Sequence, residues 1–145
     1  MWLVYAATAA IIWGLNYTLD GKILENGVSP LVLLAAQCTL GAIVFSILSY
    51  FYSSPNLWST LTAKNNGNWW LFPTTVLVAN LGSFFIVLSM QAKNSTIAAL
   101  IELTYPIFTI LFTFLLFKEN YLNKVTAIGG SLILLGVVII AFGEK

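Results

Sequence analysis

The chain has 145 residues, of which 59% are apolar and only 8% charged, with a formal net charge of +1 and a mean hydropathy of +0.92. An ordinary soluble domain is about one quarter charged, so this composition excludes one and points to a membrane protein. All six basic residues are Lys, His is absent and Cys38 is the single cysteine. That excludes a basic patch for nucleic acid, a metal cluster, a disulfide framework and a His-based catalytic triad.

A helix that crosses a bilayer needs roughly 17–25 mostly apolar residues. Five such segments are predicted, at residues 2–19, 30–52, 69–90, 96–117 and 124–142, giving an all-α integral membrane bundle organised as one domain over residues 1–145. The first begins at Trp2 with no Lys before Lys22, which suits an uncleaved spanning helix and not a secretory signal with its basic start. Residues 20–29 hold Asp20, Gly21, Lys22, Glu25, Asn26 and Gly27, the charges and turn formers of an interfacial loop, and Pro30 suits the first turn of the second helix. Tyr50, Phe51 and Tyr52 end that helix, and Trp69 and Trp70 open the third, at the depth where amphipathic rings prefer to sit. Residues 91–95 and 118–123 are short connections that predict antiparallel neighbours, with the last three helices forming a compact unit. With five crossings, Lys64, Lys118 and Lys124 share one side of the membrane and Lys22, Lys93 and Lys145 the other. This balance gives the positive-inside rule little to act on, so insertion in both orientations is as consistent with the sequence as insertion in one.

Several motifs run in a fixed order: Trp13-Gly14-Leu15-Asn16 in the first helix, the short loop Ala92-Lys93-Asn94-Ser95 before Thr96-Ile97-Ala98-Ala99, then Tyr105-Pro106, Lys118-Glu119 and the Gly129-Gly130-Ser131 stretch of the fifth. In that order and spacing the chain resembles, over essentially its whole length, the EamA-like domain of the drug/metabolite transporter superfamily. The resemblance implies a multi-pass protein of the cell membrane, such as a prokaryotic inner membrane. Most relatives carry two such domains in opposite orientations with the transport path between them. One five-helix domain is therefore implied to be one half of an inverted-repeat transporter, paired as an antiparallel homodimer or with a paralogous half. The four-helix small multidrug transporters of the superfamily carry a Glu in the first helix. This chain has no acid there, which favours the metabolite branch and its small organic solutes.

In the fourth segment Ser95, Ala98, Ala99, Glu102, Tyr105, Pro106, Thr109 and Thr113 recur at spacings of three and four, on one helical face. Such a stripe must face a cavity or another helix, because lipid offers it no partner. Glu102 is the one acid well inside a predicted span. Leaving it unpaired in hydrocarbon costs at least ~2.5–3.5 kcal/mol, so it is paired, solvated or protonated. It fits two roles equally: binding a proton or substrate amine, or packing against a Tyr, Asn or Thr of a neighbour. Trp13, Asn16, Tyr17, Tyr105, Thr109 and Asn80, the last three residues from Ser83, are the further candidates for contacting a solute, while Gln37 suits a bridge between helices. Pro106 removes a backbone donor and frees the carbonyl of Glu102, which kinks the helix. Gly129 and Gly136 lie two turns apart on one face, where a partner helix or a neighbour in the same chain can approach closely.

No phosphate-binding loop or cofactor motif is present in the sequence, and no nucleophile–base constellation marks an enzyme. The expected activity is gradient-driven secondary transport by alternating access, with lipid, a small-molecule solute and an inverted partner half as the interacting species and no cofactor or metal. The alternative is a non-transporting membrane subunit that stabilises or regulates a larger complex through the fifth helix.

Overall fold

The computed structural model describes residues 1–52, 70–120 and 122–143. The described residues form only helices and their connections: α1 (Trp2–Glu25), α2 (Pro30–Tyr52), α3 (Leu71–Ala92), α4 (Ser95–Glu102), α5 (Tyr105–Phe112), a π-helical turn (Thr113–Phe117) and α6 (Lys124–Gly143). Five segments are long and apolar enough to cross a membrane, with α4, α5 and the π turn together making the fourth, Ser95–Phe117. The expected polar loop at 53–68 and the opening of the third helix at Trp69 lie outside the described residues.

The first segment departs from expectation. Residues 20–25 continue α1 instead of forming a loop, and the turn shrinks to Asn26, Gly27, Val28 and Ser29. Helical spacing explains why the charges are tolerated: Lys22 and Glu25, three apart on an exposed face, form an ion pair at 2.5 Å. Asp20 instead turns inward and is only 4% exposed. Its carboxylate Oδ1 accepts a hydrogen bond of 2.8 Å from the side-chain amide of Gln37 on α2. The helix stops at Gly27, whose φ of +85° lies in the left-handed region that glycine adopts without a Cβ penalty.

The chain gathers into two compact units, one of residues 1–18 and 92–145, the other of residues 19–91. The expected grouping of the last three helices is therefore not observed, since α3 belongs with α2 and the end of α1. Polar side chains account for the difference. In the second unit Gln37 ties α2 to Asp20, and the Cys38 thiol points at the Asn80 side-chain oxygen of α3 at 3.6 Å. Its buried residues lie at the end of α1 (Asp20, Gly21, Leu24), the start of α2 (Pro30, Leu33) and the end of α3 (Val87, Met90). In the first unit α4 packs on α6, burying Ala98 and Val137. Elsewhere Leu, Ile and Phe stand exposed along every segment, as side chains that meet lipid tails do.

Side-chain caps set the ends of the later helices. The Asn94 carboxamide oxygen accepts the backbone N–H of Ile97 at 2.8 Å and opens α4. Asn123 and Thr126 exchange two bonds, of 2.9 and 3.4 Å, across the first turn of α6, the reciprocal pattern of a capping box.

Two consequences can be measured by denaturant titration in mixed micelles. Gly27→Ala should lower the unfolding free energy by about 1–2 kcal/mol through backbone strain alone, since an added Cβ would meet nothing within 4 Å. Gln37→Leu leaves the Asp20 carboxylate without that donor and should cost about 1.5–3 kcal/mol.

Candidate functional site

The fourth segment is interrupted near its centre, and Pro106 is the cause. A continuous helix would carry the N–H of residue 106 to the carbonyl of Glu102, a bond proline cannot make. The chain instead tightens: the N–H of Thr104 reaches the Ile101 carbonyl at 3.2 Å and the N–H of Ile107 reaches the Thr104 carbonyl at 3.0 Å. The Thr104 hydroxyl also donates to the Ile101 carbonyl at 3.0 Å. α4 thus ends at Glu102 and α5 restarts at Tyr105, with Pro106 in its first turn. A uniform kinked helix was expected; the observed form is two eight-residue helices with an acid at the junction.

That acid meets α1. The Tyr17 hydroxyl donates to Glu102 Oε2 at 2.5 Å across 85 residues of sequence, within the range of strong O–H···O bonds. Both residues are half-buried. The ring of Trp13, one turn earlier, stands edge-on to that of Tyr17 with centroids 5.7 Å apart and planes at 64°. Asn16, also half-buried, lies next to Tyr17 on the same helix. Glu102 sits about 10 Å along the span from Ser95 at 1.5 Å per residue, inside a hydrocarbon layer of about 30 Å. Among the described residues Glu102 shows one hydrogen-bond donor, Tyr17, on one of its two carboxylate oxygens.

The other expected residues are distributed differently. Tyr105 opens α5 with 61% of its surface exposed. The Thr109 hydroxyl donates to the Tyr105 carbonyl at 3.1 Å, so it serves its own helix. Asn80 lies in the second unit, where its amide donates to the Val76 carbonyl at 2.7 Å and its oxygen faces Cys38. Of the candidates, Trp13, Tyr17 and Glu102 are joined by direct contacts. On α6, a Cβ added at Gly129 or Gly136 would meet nothing within 4 Å, so among the described residues no neighbour approaches closely there.

Sequence reasoning missed Asp20. Its neighbours Gly21, Lys22 and Glu25 have the composition of a loop. The available signal was the spacing of Lys22 and Glu25, which allows an ion pair on one helical face and lets α1 run on.

Comparison with curated proteins and with solved structures finds no match. Over residues 1–142, however, the chain matches the model of the EamA-like transporter family. The matched region takes in the first four membrane-spanning segments, the fifth up to Phe142, the Tyr17–Glu102 pair and the proline break. This chain is therefore a multi-pass membrane protein that belongs to the EamA-like transporter family.

Proposed function

We propose that the protein is a secondary transporter of a small organic metabolite or drug-like solute, in which Glu102 binds either a proton or a protonated amine of the solute. The observation that carries this reading is the carboxyl of Glu102, held by Tyr17 at the break between α4 and α5. One carboxylate oxygen accepts from Tyr17, which leaves the second to receive a proton or an ammonium hydrogen. The backbone carbonyl of the same residue lacks the ladder donor that Pro106 cannot supply, adding an acceptor beside the first two. Acceptors at a discontinuous helix inside the membrane are the usual means by which transporters hold cationic ligands. Trp13 supplies an aromatic face next to Tyr17, suited to stacking on a solute or to a cation.

Transport requires the site to be reached from each side in turn, and one five-helix domain supplies half of an inverted pair. The domain over residues 1–145 pairs with a copy in the opposite orientation or with a related half, and the first and fourth segments line the path. Two features support this. The lysines divide three and three between the two sides, which permits both orientations, and the Gly129–Gly136 face of α6 is open to a close-packed partner. The same open face would serve a non-transporting subunit equally, so flux by the purified protein alone separates the two activities.

In proteoliposomes with an imposed pH gradient and a panel of radiolabelled amino acids and small amines, the wild type should accumulate at least one solute. Glu102→Gln should abolish the gradient-driven component, and Tyr17→Phe should reduce it about 10-fold, the equivalent of one hydrogen bond to a charged group. Unchanged driven uptake by Glu102→Gln would assign the carboxyl to helix packing instead. Orientation is read separately. On a Cys38→Ser background, Lys145→Cys should be labelled by an impermeant maleimide in intact cells to about half of the total found after permeabilisation. Labelling of nearly all or none would require an inverted partner of different sequence.

A further inference from the structure

The fourth and fifth segments enclose a groove that the transport reading does not use. Its volume is about 550 Å³; Ile107, Leu111 and Phe114 form one wall, and Ala127, Gly130 and Leu134 form the other. It exists because α6 presents small residues at this level, and a Cβ added at Gly130 would still meet nothing within 4 Å. The lining is almost wholly apolar. Of its polar members, Ser131 donates to the Ala127 carbonyl at 2.8 Å, Thr126 belongs to the cap of α6, and the Asn120 side-chain oxygen accepts the N–H of Leu122 at 2.9 Å. These side chains are engaged in local structure, so the groove is poorly equipped to orient a polar solute.

Its position relative to the membrane is informative. One end lies at Asn120 and Leu122, in the connection between the two segments, and from there it follows α6 from Thr126 to Leu134, about 12 Å at 1.5 Å per residue. That approaches the ~15 Å depth of one leaflet's hydrocarbon. At the interfacial end stands Lys118, whose ammonium lies 6.0 Å from the ring centroid of Phe114, itself part of the groove wall. Lys118 caps the π turn with φ +60°, a left-handed conformation that glycine takes without strain and a lysine does not. The strained position thus holds a cation beside Phe114 of the groove wall. Lys124 begins α6 on the same connection, and with Glu119 between them the connection from 118 to 124 keeps a charge of +1 (two Lys, one Glu).

We infer that this groove binds an anionic phospholipid, with an acyl chain lying between α5 and α6 and the phosphate headgroup on the ammonium of Lys118. The apolar walls match the chain, and the cation at the membrane surface matches the headgroup, a combination characteristic of basic interhelical lipid sites. The site stands independently of which solute is transported.

The test is native mass spectrometry of the full chain released from bilayers of equimolar phosphatidylglycerol and phosphatidylcholine with matched acyl chains. The wild type should retain phosphatidylglycerol at least three-fold over phosphatidylcholine. Lys118→Gly, which relieves the backbone strain and preserves the fold, should retain lipid with the preference lost. Gly130→Leu, which fills the groove, should lose retention of both lipids. Added glycerol phosphate should leave the retained lipid in place, because the acyl chain and not the phosphate alone fills the groove. Equal retention of the two lipids by the wild type, or an undiminished preference in Lys118→Gly, overturns the inference. So does a Gly130→Leu variant that changes from dimer to monomer with lipid retention intact, which would make a second copy the occupant.

Discussion

Hydrocarbon offers no hydrogen bonds, so each backbone N–H and C=O of a spanning segment must find its partner within the protein or in a water-lined cavity. Five apolar helices meet this requirement almost automatically. The exception is the fourth, where Pro106 withholds one donor and Ile107 turns its own to Thr104, so that the carbonyls of Glu102 and Leu103 drop out of the helical ladder. Thr104 limits the damage by directing both its N–H and its hydroxyl to Ile101. Irregular backbone at this depth is tolerated only against protein or a cavity. The bond from Tyr17 to Glu102 brings α1 to that place, and the proposed site follows from this single local defect.

Two of the acids within the membrane-spanning helices, Asp20 and Glu102, are at least partly buried, and their surroundings differ. Asp20 is buried at the packed end of its unit, with the Gln37 amide directed at it. Glu102 is half-buried, at the end of a short helix, and receives a hydroxyl that can reorient. An amide donor fixed by two packed helices favours permanence, whereas a phenol shared between a carboxylate and any incoming ligand favours exchange. The contrast fits Asp20 holding α1 against α2, and it is consistent with the proposal that Glu102 exchanges partners.

Much of this was legible in the sequence. The second segment begins and ends where expected, and the fifth where the apolar run and Lys124 place it, because a spanning helix is specified by length and composition together. The polar stripe of the fourth segment drew attention to Glu102 and Pro106, which the structure places on either side of the break between α4 and α5. Three features were not legible. Asp20, Lys22 and Glu25 have the composition of a loop, and the partner of Asp20, Gln37 on α2, is 17 positions away. The π turn at Thr113–Phe117 carries no distinguishing residue type. The meeting of Tyr17 with Glu102 spans 85 positions, and helical periodicity says which face a residue occupies but not which helix that face meets.

The small residues of α6 show how one segment can serve two environments. Ala127, Gly130 and Leu134 line the groove toward α5, whereas Gly129 and Gly136 have no close neighbour among the described residues. At 3.6 residues per turn, Gly129 lies roughly 200° around the helix from Ala127, and Gly136 the same angle from Leu134. The two sets are therefore on nearly opposite faces, with Val137 turned toward the packing against α4 between them. A lipid chain in the groove and a partner helix on the glycine face would not compete for the same surface. One stretch holding Gly129, Gly130 and Gly136 thus presents two separate surfaces, distinguished only by a shift of two positions along the helix.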